Sequence, residues 1–244
     1  MRTPRIYHAG PLTVGQTVAL SQEAAQHLVK VLRLRSEAPL LLFNGDNHQY
    51  AATLVLQGKN AAAKILEKEF IDRESNLKIQ ILQGISRGSR MDYTIQKAVE
   101  LGVDTVLPVV TSRGNVKLSE ERAENRLQHW QKVAQSACEQ CGRNSVPLIQ
   151  TPQTLVEALI NVTIPALRLV LAVDAAQTLK EIVNPPLNQT VILLIGPEGG
   201  LSHDEVQMAE QAGFLRLSLG PRVLRTETAA LVAMSILQAK WGDV

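Results

Sequence analysis

The sequence predicts a mixed α/β chain in two parts: a β-rich stretch over residues 1–72 and a longer α/β domain over 73–244 built on a parallel sheet. Three observations predict it. PLLLFNGDNHQYAATLVLQ (39–57) reads as strand, turn, strand, with Asn44, Gly45, Asp46 and Asn47 as the turn. After residue 76 the chain alternates strand with helix. Those later strands are apolar without alternation, as strands buried on both faces of a parallel sheet are.

The elements follow in order. SQEAAQHLVKVLR (21–33) reads as a short helix that starts at Ser21. AAAKILEKEF and LKIQILQGI are short apolar runs, and the polar break IDRESN (71–76) between them marks the domain boundary. RMDYTIQKAVELG is helical, with Gly102 as its stop. TVLPVV precedes a long helix over about 119–140. LRLVLAVD, VILLIGP and FLRLSLG are three further apolar strands, each followed by helical sequence. The last helix, ALVAMSILQAKW, is apolar nearly all round, which calls for a buried position.

Composition sets limits on function. The net charge is +2, so no global field demands a nucleic-acid partner. Yet residues 1–35 carry Arg2, Arg5, Lys30, Arg33 and Arg35 against the single acid Glu23. That is either a face for a polyanion or a solvated basic surface. No apolar run has the roughly 18 residues of a membrane span, and the N-terminus lacks a signal-peptide core, so a cytoplasmic protein is expected. Cys138 and Cys141 stand alone without a second Cys/His pair, so no metal site is expected and the pair reads as structural.

Two strand exits invite a ligand. Ile195-Gly196-Pro197-Glu198-Gly199-Gly200 runs into Ser202-His203-Asp204-Glu205, where Ser202 and Glu205 form a capping box. Glycines there let a ligand approach the main chain, and a helix start offers free N–H groups. A tight turn that needs glycine only for its geometry is the alternative. The second exit is Leu219-Gly220-Pro221-Arg222-Val223-Leu224-Arg225-Thr226-Glu227. Here Arg225 and Glu227 could equally form a helix-end ion pair. In open parallel sheets ligands gather at the carboxyl ends of strands, where both exits belong. The nucleotide-binding glycine fingerprints, the nucleophile elbow and His/Glu metal motifs are all missing. With two Trp, three Tyr and three Phe, an extensive base-stacking platform is excluded.

LLIGPEGGLSHDEV and LGPRVLRTETAALVAMSILQ closely resemble the two C-terminal signatures of the ribosomal RNA small subunit methyltransferase E family, in the SPOUT superfamily. RIYHAGPL, HLVKVLRLR, LFNGDNHQY, ISRGSRMDYTIQKAVELGV and ACEQCGRNSVP also resemble family segments, so the likeness spans nearly the whole chain. The resemblance implies a small N-terminal PUA-like β-barrel for RNA and a C-terminal SPOUT domain with a deep trefoil knot. It implies a homodimer that binds S-adenosylmethionine and methylates N3 of one uridine of 16S ribosomal RNA in the small subunit. A ribose 2′-O-methyltransferase of the same superfamily, and a non-catalytic RNA-binding assembly factor, are the competing readings.

Site residues follow from that resemblance. A bent S-adenosylmethionine would sit on Leu194, Gly196, Pro197, Gly199 and Gly200, and on Ser218, Leu219, Gly220, Val223 and Leu224. Arg225 would meet charge on the uracil oxygens, and Glu198 or Glu227 would take the N3 proton. RNA contact is assigned to Arg2, Arg5, His8, Lys30, Arg33 and Arg35, and in the α/β domain to Arg87, Arg90 and Arg143. Ser89 either caps the helix that follows it or belongs to that RNA segment.

Overall fold

The structure is a computed structural model that describes residues 3–58, 60–114, 119–182 and 187–244. It forms two compact units. The first holds the described residues up to Glu74 together with Gln135–Val146; the second holds Ser75–Ala134 and Pro147–Val244.

The first unit is built on strands β1 (Arg5–Tyr7), β2 (Thr17–Ala19), β3 (Pro39–Phe43), β4 (His48–Gln57) and β5 (Asn60–Phe70), with helix α1 (Gln22–Gln26) after β2. They form one sheet in the order β1-β3-β4-β5-β2. β1 pairs parallel to β3, and the other pairings are antiparallel. Gly45 and Asn47 take positive φ in the β3–β4 turn, as its Asn-Gly-Asp-Asn sequence requires. Leu28, Leu40, Leu42, Tyr50, Leu54 and Ile65 close its core. The helix expected over 21–33 is shorter: α1 is capped by Ser21 Oγ, which accepts from Ala24 N at 3.1 Å, and passes at His27 into a π-helical turn over His27–Val31. That wider turn buries Leu28 and leaves Lys30 at the surface.

Gln135–Val146 is stitched into this unit by arginines. Arg73 Nη1 donates to Gly142 O at 2.6 Å, and Arg5 Nη2 donates to Asn144 Oδ1 at 2.8 Å. Arg143 forms a two-point ion pair with Glu74, its Nε–H meeting Oε1 at 3.0 Å. Cys138 lies buried beside this cluster, and burial pushes its thiol up to about 12.

The second unit is a parallel sheet. Its elements are β6 (Lys78–Gly84), α2 (Ser89–Glu100), β7 (Val103–Val110), α3 (Glu120–Cys141, whose last turns count with the first unit), β8 (Leu148–Ile149), β9 (Gln153–Thr154), α4 (Leu155–Asn161), β10 (Leu167–Leu171), β11 (Thr190–Ile195), α5 (His203–Gln211), β12 (Leu215–Leu217) and α6 (Thr226–Trp241). The strand order is β12-β10-β11-β6-β7-β8, with β9 also pairing β7, and every pairing is parallel. β6 and β11 lie at its middle and are buried almost throughout, which is why both read as unbroken apolar runs.

Three local outcomes refine the sequence reading. Ser89 does not cap α2: the N-cap is Gly88, at φ +59, without a side-chain bond. α4 is an additional helix, started by a capping box of Thr154 and Glu157. α6 is not buried all round. Ala230, Ala233, Met234 and Leu237 are inside, whereas Leu231, Val232 and Ile236 stay half-exposed.

Candidate active site

The strand exits of β10, β11 and β12 open side by side, since Val170 pairs with Leu194 and Leu171 with Leu217. A cavity of about 690 Å³ lies at these carboxyl ends. That is the size range of small-molecule sites and the position where parallel sheets collect ligands. Its lining joins apolar residues, among them Leu171, Ile195, Val206, Leu217, Leu219 and Leu224, to the glycines of both exits and to a set of charged side chains.

The first wall is the turn after β11. Gly196 is required by space: a Cβ there would lie 2.8 Å from Gly200 C and Leu201 N. The turn closes through Gly200 N–H to Pro197 O at 2.9 Å, with Gly200 at φ +68. It rests on Gly84 at the end of β6, where a Cβ would come within 2.5 Å of both Pro197 N and Cδ. Arg113 covers its other side, donating to Gly199 O at 3.3 Å and Leu201 O at 3.2 Å. The start of α5 is fixed by the capping box of Ser202 and Glu205. Glu205 does more, because its Oε1 also accepts from Ser112 N at 2.6 Å while Oε2 accepts from Ser202 N at 2.7 Å.

The second wall is the loop from β12 to α6. Ser218 N–H donates to Gln177 O at 2.9 Å and pins the loop's start, and Gly220 turns it at φ +109. Val223 stands 77% exposed. Thr226 opens α6 and is buried, its Oγ1 donating to Gly196 O at 2.6 Å, so the two walls are joined.

The charged groups divide clearly. Glu198 Oε1 accepts from Arg87 N–H at 2.9 Å and from Arg90 Nη1 at 2.9 Å. Burial works to raise its pKa, but these donors outweigh it and hold the carboxyl below its ordinary range. Glu198 is thus a committed anion. Glu227, on the first turn of α6, has its Oε2 buried with no hydrogen-bond partner, and the residue lines the cavity. Arg225, the exposed N-cap residue of α6, and Arg90 also line it. Asp174 and Arg216 form an ion pair on its rim, and the Arg216 bond holds the Asp174 carboxyl low.

An RNA methyltransferase domain family matches residues 73–238, and an RNA methyltransferase PUA domain family matches 20–66. The ribosomal RNA small subunit methyltransferase E of Buchnera aphidicola from Schizaphis graminum is 35% identical over 244 residues, 100% of this chain and 98% of that protein. The chain belongs to the ribosomal RNA small subunit methyltransferase E family. The Neisseria gonorrhoeae ribosomal RNA small subunit methyltransferase E bound to S-adenosyl methionine superposes with a TM-score of 0.90 at 41% identity, covering 99% of each chain. A Legionella pneumophila protein in complex with the bound cofactor gives a TM-score of 0.94 at 42% identity over 100% of both chains.

In this member of the ribosomal RNA small subunit methyltransferase E family, Gly196, Pro197, Gly199, Gly200, Leu219, Gly220, Val223 and Leu224 line one cavity together with Glu198, Arg225 and Glu227. Two residues of the sequence-derived cofactor set stand off its wall. Leu194 is fully buried in the core between sheet and helices, and Ser218 turns its hydroxyl to Gln177 O at 3.4 Å. Ile195, the neighbour of Leu194, lines the cavity instead, beside the expected Leu219.

The basic residues divide too. Lys30, Arg33, Arg35, Arg87 and Arg90 are exposed. Arg5 and Arg143 are only 7% and 6% exposed and serve the internal cluster with Glu74 and Asn144, so their assignment to RNA is corrected to a structural one. His8 is half-buried, which lowers its pKa. Arg2 lies outside the described residues. Sequence reasoning missed Gly84, Arg113 and the second bond of Glu205, because each acts on a loop distant in sequence. No helix among the described residues is long and apolar enough to cross a membrane.

Proposed function

We propose that this chain methylates N3 of one uridine of 16S ribosomal RNA, with S-adenosylmethionine as methyl donor. The observation that carries the reading is the cavity at the strand exits, into which the Gly196–Gly200 turn, Arg225 and Glu227 all converge. The residues fit the cofactor. Gly200 and Gly220 line the cavity with open space where a Cβ would stand, so a ligand can meet bare main chain there, and lining residues such as Leu171, Ile195 and Leu217 suit an adenosyl group. Gly196, Pro197, Gly199 and Gly200 would hold it from one side, and Leu219, Gly220, Val223 and Leu224 from the other. When bound, S-adenosylmethionine supplies a methyl group made electrophilic by its sulfonium centre.

The chain's own residues do the rest. Uridine N3 carries a proton that leaves before or during transfer. Glu227 takes it: the residue lines the cavity, and its buried Oε2 has no hydrogen-bond partner of its own, unlike the Glu198 carboxylate. Glu198 stays bound to Arg87 and Arg90 and anchors the start of α2 to the cofactor turn. Arg225 presents a fork of donors at the cavity and meets the charge that spreads onto the uracil oxygens. Together they hold nucleophile and methyl group within about 3–3.5 Å.

Residues 1–72 serve as the RNA-binding PUA-like barrel and 73–244 as the knotted methyltransferase domain in this reading. Lys30, Arg33 and Arg35, with Arg87 and Arg90, contact phosphates of the assembled small subunit in the cytoplasm. The half-exposed apolar residues Leu231, Val232 and Ile236 of α6 support a homodimer. The test is nucleoside analysis of 16S RNA from a strain lacking the gene. A missing 3-methyluridine that the intact chain restores, and the Glu227→Gln chain does not, is expected. A missing 2′-O-methylated nucleoside instead would move the target to ribose.

A further inference from the structure

One polar side chain stands in the middle of the sheet without a role so far. Gln83 is 0% exposed, on central strand β6, among Ile79, Ile81 and Leu82. A buried amide costs stability unless it is bonded, and an aliphatic residue would fill the same strand position without that cost. Gln83 Nε2 donates to Thr226 Oγ1 at 3.0 Å and to Gly84 O at 3.0 Å. Thr226 Oγ1 donates in turn to Gly196 O at 2.6 Å. The order of donors is fixed. Gly84 O and Gly196 O can only accept, so the Thr226 proton goes to Gly196 and its lone pair receives Gln83. Flipping the amide would set Oε1 against Gly84 O. The amide keeps this orientation although Oε1 itself is left without a partner.

The three groups come from three elements. Gln83 is on β6, Gly196 follows the last residue of β11, and Thr226 is the first residue of α6. Arg225 and Glu227 flank Thr226 in sequence. We propose that Gln83 is a positioning residue for methyl transfer: through the Thr226 hydroxyl it fixes the Gly196 carbonyl and, with it, the placement of the cofactor turn against Arg225 and Glu227. The relay rests on the functional reading above and adds a residue that touches neither cofactor nor RNA. It also accounts for a threonine at the start of α6, where Arg225 as N-cap provides no side-chain cap and the Thr226 hydroxyl is spent across the cavity floor.

The test compares Thr226→Val, Thr226→Ser and Gln83→Met in the full chain. S-adenosylmethionine affinity is measured by titration calorimetry well below the unfolding temperature, beside thermal unfolding of each variant. Thr226→Val keeps the shape of the side chain and leaves the Gly196 carbonyl without its donor. Thr226→Val and Gln83→Met are each expected to weaken binding roughly tenfold, because the turn shifts to relieve one unsatisfied buried group and the cofactor must restore its place. Thr226→Ser, which keeps the hydroxyl, is expected to stay within about threefold. Affinities unchanged in Thr226→Val and Gln83→Met, with only the unfolding temperature lowered, would overturn the proposal and leave a packing role. A Thr226→Ser chain as weak as Thr226→Val would overturn it too, because the methyl and not the hydroxyl would then matter. If the unmodified chain bound no S-adenosylmethionine, the functional reading itself would fall and this inference with it.

Discussion

Gly84→Ala isolates the contact between β6 and the cofactor turn. Gly84 is not among the glycines at positive φ, so alanine suits its backbone and only space decides the outcome. The added Cβ would lie 2.5 Å from Pro197 N and Cδ and 2.8 Å from Gly196 C. Ordinary contact begins near 3.4 Å, so strand and turn must part by about 0.9 Å. None of these atoms belongs to a flexible side chain, and forcing one extra carbon into such a place costs about 1–3 kcal/mol. If the strain is relieved by moving the turn, S-adenosylmethionine binding weakens between about fivefold and about 150-fold. If the turn holds, the cost falls on the fold and lowers Tm by about 2–4 °C for each kcal/mol in a chain of this size. Titration calorimetry and thermal unfolding on the same preparation read both. A Gly84→Ala chain with unchanged affinity and unchanged Tm would refute the claim that β6 is the seat of the turn.

Five further outcomes are expected. Glu227→Gln should lower the single-turnover rate at saturating RNA by about 10²–10⁴ with S-adenosylmethionine affinity nearly kept. Glu198→Gln should instead weaken the Arg90 tie and spare most of the rate; equal rates for the two would remove Glu227 as acceptor. Because the folded pKa of Glu198 is lowered, its stabilising tie is present above the ordinary carboxylate pKa and is lost as pH falls through the folded value. Glu74→Ala should destabilise the first unit by about 3–5 kcal/mol in denaturant unfolding, since it strips the Arg143 guanidinium of its paired carboxylate. Cys138, with its thiol pushed up to about 12, should resist alkylation at pH 8 while half-buried Cys141 reacts first, as peptide mapping would show. Arg35→Ala should reduce the salt slope of RNA binding by about 1 without changing S-adenosylmethionine affinity.

What could be read from sequence was local. Unbroken apolar runs gave β6, β7, β10 and β11, and Ser202 with Glu205 announced the start of α5. Gly102 stops α2 at φ +78, as its place after Glu100 and Leu101 suggests. Strand exits could be located, but the faces of their residues could not. A strand buried on both sides has no alternation, so nothing told Leu194 in the core from Ile195 at the cavity. Distance hid the remainder. Gln83 and Thr226 are 143 residues apart, and Arg5 meets Asn144 across 139. A run of basic residues reads the same whether arginines face solvent, like Arg33 and Arg35, or lie buried against a carboxylate, like Arg143. Glu198 and Glu227 look alike in sequence, and only their partners separate them.

The central claim is that this chain transfers a methyl group to N3 of one uridine in the small subunit. It is tested most directly by incubating the chain and labelled S-adenosylmethionine with small subunits from a strain lacking the gene, then digesting the RNA and identifying the labelled nucleoside. One methyl group per subunit, recovered as 3-methyluridine, is the expected result. Label recovered in a 2′-O-methylated nucleoside, or no transfer by a chain that binds the cofactor, would contradict it.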